Sequence, residues 1–191
     1  KTYEGTLFAN NELKLENKEH LQEMLGLAVN KDIPLIGMVT RLVGHKGLEL
    51  VKNALPEILN QKVQVVILGT GDSYYEWFLK DLERSFPGKL SVIIAFNQDL
   101  SRKIYASSDI FLMPSISEPC GLAQMIACRY GALPIVRRTG GLADSIKDFS
   151  NPKGNGYVFD NINSDEMLAK VLQAINDYEN KELWAKHVKA A

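Results

Sequence analysis

A chain of 191 residues, 46% of them hydrophobic, has the length and composition of one domain with a substantial core. Its 22 basic and 23 acidic side chains leave a net charge of −1, which argues against nucleic acid and membrane surfaces as partners. The aromatics, 8% of the chain, are scattered rather than arrayed for stacking on single strands, and no apolar run reaches the roughly 18 residues of a membrane span.

Residues 1–32 are expected to form a leading segment with a helix over 18–25. The first five residues carry no signal-peptide pattern, and without an initiator Met the chain is expected to be a piece of a longer protein. Strands are predicted over 33–39, 63–68, 90–96, 109–113, 133–136 and 156–159; most are continuously apolar, as strands covered on both faces are. Helices are predicted between them over 47–59, 73–86, 99–107, 121–130 and 141–148, the first with Leu48, Val51, Leu55, Ile58 and Leu59 at near-helical spacing. Two more, over 164–176 and 181–189, close the chain, with Ser164 as a partial capping signal. This alternation with short connections predicts an α/β fold, a Rossmann-like doubly wound parallel sheet, as one domain over 1–191 with its core at about 33–160. Such sheets bind ligands at the carboxyl ends of their strands.

Two loops at that end carry the most informative residues. Arg41-Leu42-Val43-Gly44-His45-Lys46-Gly47 follows the first predicted strand. Arginine offers a planar fork to phosphate oxygens and lysine a point charge, so the two can converge on one diphosphate across the glycine turn. The plainer alternative is a pair of solvated loop cations. Glu118-Pro119-Cys120-Gly121-Leu122 follows the fourth strand. A helix opening near Gly121 would aim the free amides of Gly121, Leu122 and Ala123 at the crevice as phosphate donors. Glu118 either complements that helix dipole or serves a sugar hydroxyl. Cys120 is either a ligand contact or a small hydrophobe.

Three further sites are less specific. Gly69-Thr70-Gly71-Asp72 is half a dinucleotide fingerprint, with Tyr74 at the third glycine position, and is taken as a tight turn in which Asp72 caps the next helix. Phe96, at the end of the third strand, either stacks on a nucleobase or fills the rim. Arg137-Arg138-Thr139-Gly140-Gly141-Leu142 is a third strand–loop–helix junction whose amides shape the site and whose arginines are either ligand contacts or solvated. Cys120 and Cys128 on one helix would lie about 12 Å apart, beyond the roughly 7 Å of a disulfide, so free thiols and a reducing cytoplasm are expected. His20, His45 and His187 have no metal-ligand spacing.

The motifs beginning at Arg41, Gly69, Pro114 and Arg137 occur in an order and spacing that resemble the C-terminal domain of bacterial glycogen synthases and plant starch synthases, over roughly residues 34–160. The resemblance implies the C-terminal half of a GT-B glycosyltransferase. Such enzymes transfer glucose from ADP-glucose to the non-reducing end of an α-1,4-glucan with retention, by a front-face mechanism, with no metal or other cofactor. It implies Arg41, Lys46 and Glu118 as catalytic residues, the cations on the donor diphosphate and the carboxylate on glucose hydroxyls. It also implies donor binding by Phe96 at adenine, by Cys120, by the amides of Gly121, Leu122 and Ala123 at the distal phosphate, and by Thr139 and Gly140.

Some positions depart from the family pattern. His45 stands where Gln is frequent, Ala123 where Thr or Ser is common, and Ile126 where many GT-B enzymes carry a ribose-holding Glu. The last favours the glycogen and starch synthase branch and leaves ribose without an assigned contact. The family's N-terminal domain, which bears much of the acceptor site, has no counterpart here, so an isolated donor-binding domain with little or no activity of its own is expected. Two alternatives stay open: a GT-B transferase with another nucleotide sugar and acceptor, and a non-catalytic Rossmann-like nucleotide-binding module.

Overall fold

The computed structural model describes residues 11–191; the start of the predicted leading segment, residues 1–10, lies outside them. Helix α1 (Asn11–Met24) leads into β1 (Leu35–Val39), α2 (Leu48–Leu59), β2 (Gln64–Gly69), α3 (Ser73–Ser85), β3 (Leu90–Ile94), α4 (Gln98–Ser107) and β4 (Ile110–Met113). Then come α5 (Ala123–Arg129), β5 (Leu133–Arg137), α6 (Gly140–Ser145), β6 (Tyr157–Phe159), α7 (Ser164–Glu179) and α8 (Lys181–Ala190). The six strands pair in parallel in the order β3-β2-β1-β4-β5-β6, the expected doubly wound sheet.

Side-chain alternation divides each strand between two cores. Ile36, Met38, Val65, Ile67 and Leu112 pack on one face beneath α2, α3 and α7. Leu35, Val66 and Leu68 meet α1 and α4 on the other, where Phe111 meets α5 and Val136 meets α6. Burial on both faces is why the strands are apolar runs rather than alternating patterns.

Several boundaries differ from expectation, each for a local reason. α1 begins at Asn11 rather than near residue 18, because its inward face is a polar stripe that apolar periodicity does not register. Lys14, Lys18 and Gln22 recur at four-residue spacing and reach Tyr130 O, Asp109 Oδ2 and Gln64 Oε1 respectively. α6 stops at Ser145 instead of 148, and Asp148 turns inward to accept from the Val158 amide and Lys170 Nζ. Burial alone would raise the Asp148 carboxyl, but those donors and Ser150 hold it down at about 2. Asn163, not Ser164, caps α7 by accepting from the Asp165 and Glu166 amides. Asp72 makes no capping bond to α3; Glu76 instead reaches back to the Gly71 amide.

The amino-terminal edge of the sheet is closed by a buried ion pair. Lys18, fully enclosed, places Nζ 2.7 Å from Asp109 Oδ2, and donates also to Lys31 O at 2.9 Å and Tyr178 Oη at 3.1 Å. The same carboxylate oxygen accepts the Leu35 amide at 2.9 Å, so one cluster ties together α1, α7, the first residue of β1 and the residue that leads into β4. Lys18→Met leaves Asp109 buried without its counter-charge, and a loss of about 3–5 kcal/mol is expected in urea denaturation.

Lys14 gives a second, pH-dependent expectation. Burial, opposed by Asp109 and reinforced by Lys18, lowers its ammonium from 10.5 to about 8. The unfolded chain then holds this proton more tightly than the native one, so the group adds stability as pH rises between about 8 and 10.5. The Cys128 thiol, pushed by burial from 9.0 to about 11, acts in the opposite direction above pH 9. The comparison is therefore wild type against Lys14→Met. Wild type gains stability relative to the variant across that window, and parallel curves would contradict the assignment.

Candidate functional site at the carboxyl edge of the sheet

β1 and β4 share only the register pairs Ile36↔Ile110 and Gly37↔Phe111, and the helices that follow them leave to opposite faces. Their carboxyl ends part around a cleft of about 250 Å³. Met38, Val39, Leu112 and Met113 form its apolar base, and Thr40, Arg41, Lys46, Ser115, Glu118, Gly121, Leu122 and Ala123 line its sides.

The two predicted loops meet there through their backbones. After β1 the chain makes one tight 3-10 turn, Gly44–Lys46, and leaves it through Gly47 at φ 82°. A Cβ on Gly47 would stand 2.1 Å from the Pro114 carbonyl oxygen, so only glycine allows this approach. The Ile116 amide donates to His45 O at 2.9 Å beside that contact. Lys46 Nζ is thereby brought 2.6 Å from Glu118 Oε2, with the side chains 18% and 11% exposed, and Ser115 Oγ donates to the same oxygen at 3.2 Å. Arg41 lies on the exposed lip, 3.4 Å from His45 Nε2. Arg41, Lys46 and Glu118 thus share one cleft, with Lys46 engaged by the carboxylate.

The amide cradle is arranged differently from expectation. α5 begins at Ala123 and runs for seven residues; Gly121, at φ 72°, is left-handed and turns the loop before the helix starts. Gly121, Leu122 and Ala123 all border the cleft, and among the described residues none of their amides donates to a protein acceptor. Phe96 is two residues beyond β3 and 87% exposed, three strands from β4 and so about 14 Å across the edge. Cys120 is an exposed free thiol, and Cys128 is a half-buried one. Cys120, Thr139 and Gly140 stand outside the cleft lining, on the contact between this loop and α6, where the Gly141 amide donates to Glu118 O at 3.0 Å.

Two supports were not visible in the sequence. Gln124, fully buried, donates from Nε2 to Gly121 O and to Ser145 Oγ, both at 3.0 Å, while Ser145 Oγ donates to Gly141 O at 2.7 Å. Its Oε1 is the single buried side-chain polar atom without a partner among the described residues. Arg137 spends its guanidinium on carbonyls, Ile116 O at 2.5 Å, Asp160 O at 3.0 Å and Ser115 O at 3.4 Å, and so clamps the Glu118 loop. Its neighbour Arg138 pairs with the exposed Asp160 carboxylate at 2.5 Å. Among the described residues no three His, Cys, Asp or Glu side chains converge as a metal site, and no helix is long and apolar enough to cross a membrane.

Comparison with known proteins bears on this geometry. Residues 22–190 match the family described as glycosyl transferases group 1. The chain is 47% identical over 189 residues to a glycogen synthase of Bacillus cereus, covering 98% of this chain and 39% of that protein. It is 53% identical over 176 residues to a glycogen synthase of Kosmotoga olearia, covering 91% of this chain and 37% of that protein. The catalytic domain of starch synthase IV from Arabidopsis thaliana, bound to ADP and acarbose, superposes with a TM-score of 0.89 at 36% identity, over 94% of this chain and 38% of that one. The chain therefore spans about two fifths of the length of the curated relatives it matches.

Gly47→Ala tests the backbone junction directly. A left-handed φ and a carbonyl 2.1 Å from the new Cβ force the two loops apart. A stability loss on the order of 2–3 kcal/mol is expected, together with faster hydrogen exchange at the Ile116 amide.

Proposed function

The chain belongs to the group 1 glycosyl transferases, and from that premise we propose that it is the nucleotide-sugar half of an enzyme transferring glucose from ADP-glucose to the non-reducing end of an α-1,4-glucan. The observation that carries this is the Lys46–Glu118 pair, 2.6 Å apart, set beside Arg41 and three cleft-lining amides that have no protein acceptor among the described residues. The glycogen synthase relatives and the starch synthase bound to ADP and acarbose support the choice of donor and acceptor.

Breaking the bond between glucose C1 and the diphosphate oxygen moves negative charge onto ADP. Arg41 and Lys46 stabilise that charge more in the transition state than in the ground state, and the Gly121, Leu122 and Ala123 amides hold the distal phosphate. Glu118, ionised and acceptor-only, takes hydrogen bonds from glucose hydroxyls. The acceptor's 4-hydroxyl oxygen bonds to C1 on the face that ADP leaves, its proton passing to the departing phosphate oxygen, so the configuration at C1 is retained. Phe96 stacks on adenine at the far side of the edge, and Cys120, Thr139 and Gly140 shape the donor pocket from behind the loop. The charge stabilisation in this scheme comes from side chains and amides, with no metal or cofactor. The acceptor side comes from polypeptide outside this chain, which alone transfers little glucose. Two free thiols are in keeping with a reducing cytoplasm.

Calorimetry with ADP-glucose, ADP and UDP-glucose tests the proposal. ADP and ADP-glucose bind, and Arg41→Ala and Lys46→Ala weaken both. In the full-length enzyme either substitution lowers kcat by about 10²–10³-fold. Absence of binding by all three nucleotides, with both variants as active as wild type, would overturn it.

A further inference from the structure

We propose that Arg137 is a positioning residue for glucosyl transfer, fixing the Lys46–Glu118 pair through the backbone of Ile116 without touching the substrate. The inference rests on the function proposed above for its kinetic arm and on the geometry alone for its spectroscopic arm.

The strand order places β5 between β4 and β6, so the last residue of β5 faces the loops that follow both neighbours. Arg137 uses that position to donate to Ser115 O and Ile116 O on one loop and to Asp160 O on the other. It is not part of the cleft lining. The Ile116 backbone is consequently held on both sides of its Cα: its N–H, in the Ser115–Ile116 peptide, by His45 O at 2.9 Å, and its C=O, in the Ile116–Ser117 peptide, by Arg137 Nη2 at 2.5 Å. His45 immediately precedes Lys46, and Ile116 lies two residues before Glu118. A shift of the backbone at Ile116 therefore moves the cation and the carboxylate relative to each other. Only a planar guanidinium, with several donors in a fixed fork, spans three carbonyls on two loops; an ammonium has neither the reach nor the geometry. Loss of the clamp leaves both catalytic side chains in place but misaligned, and a misplacement of about 1 Å costs on the order of 10²-fold in rate.

The test compares wild type, Arg137→Met, Arg137→Lys and Arg138→Met in the full-length protein that contains this chain. Arg137→Met, shown folded by its thermal transition, loses about 10–100-fold in kcat while KM for ADP-glucose changes far less. Added methylguanidinium restores part of kcat, and methylammonium does not. Arg137→Lys stays impaired, and Arg138→Met keeps wild-type kcat. A folded Arg137→Met with wild-type kcat, a loss that methylguanidinium leaves unmoved, or an equal loss in Arg138→Met would each overturn the proposal. Should Arg137→Met not fold, Arg137→Lys with methylguanidinium decides in the same way. A wild-type protein that transfers no glucose sinks the proposed function instead. The clamp is then read by nuclear magnetic resonance of this chain, where Arg137→Met shifts the Ile116 and Lys46 amides and Arg138→Met leaves them in place; unshifted amides in Arg137→Met overturn it.

Discussion

The short pairing of β1 with β4 is the constraint from which the site follows. β1 shares five register pairs with β2 but only two with β4, ending at Gly37↔Phe111. The chain also reverses its direction of winding there: α2 covers the face holding Ile36 and Met38, whereas α5 covers the face holding Phe111. Two strands that part early, with their connections drawn to opposite faces, cannot close the edge above them. The gap exposes the carboxyl ends of a pair of strands whose own cores remain dry, so a polar site sits on rigid apolar support.

Backbone contacts, rather than long side chains, then bring the two loops together across that gap. Gly47 abuts the Pro114 carbonyl, His45 O accepts the Ile116 amide, and Glu118 O accepts the Gly141 amide. Each fixes a peptide without immobilising a flexible side chain, so the ordering entropy is already spent in folding the sheet. Only after these contacts are made do Lys46 and Glu118 meet. A surface ion pair contributes little by itself, and the value of this one lies in its fixed place inside the cleft.

The sheet was legible because continuous apolar runs alternate with helical spacing, and six parallel strands follow from little else. That Arg41, Lys46 and Glu118 share one cleft was legible because glycine turns at strand ends mark where side chains can converge. What escaped has a common cause: it depends on polar groups facing inward. Lys14, Lys18 and Gln22 form the buried stripe of α1 yet look like a solvated face. Gln124 supports the Glu118 loop from a position that carries no pattern, and Arg137, singled out as a ligand contact or a solvated cation, supports it instead by binding carbonyls of two loops. Hydrophobic periodicity reports which face is dry and is silent about which polar group finds a partner there.

The proximity of Lys46 to Glu118 also changes how the two divide their work in the proposed transfer. An ammonium has three donors, and Glu118 Oε2 occupies one of them at 2.6 Å. Two remain for diphosphate oxygens, so binding the donor does not require the pair to separate. The carboxylate in turn keeps Oε1 for sugar hydroxyls, since both Lys46 and Ser115 bond Oε2. A carboxylate this close to a diphosphate would repel it if it stood alone; with Lys46 attached, the unit is neutral on approach and still presents a cation to one side and an acceptor to the other. Arg41, on the exposed lip and bound to no carboxylate among the described residues, then supplies the net positive charge that the departing ADP requires. Lysine at position 46 and arginine at position 41 are on this account not interchangeable: the first must be compact enough to serve two partners inside a cleft, the second planar enough to meet a phosphate from its rim.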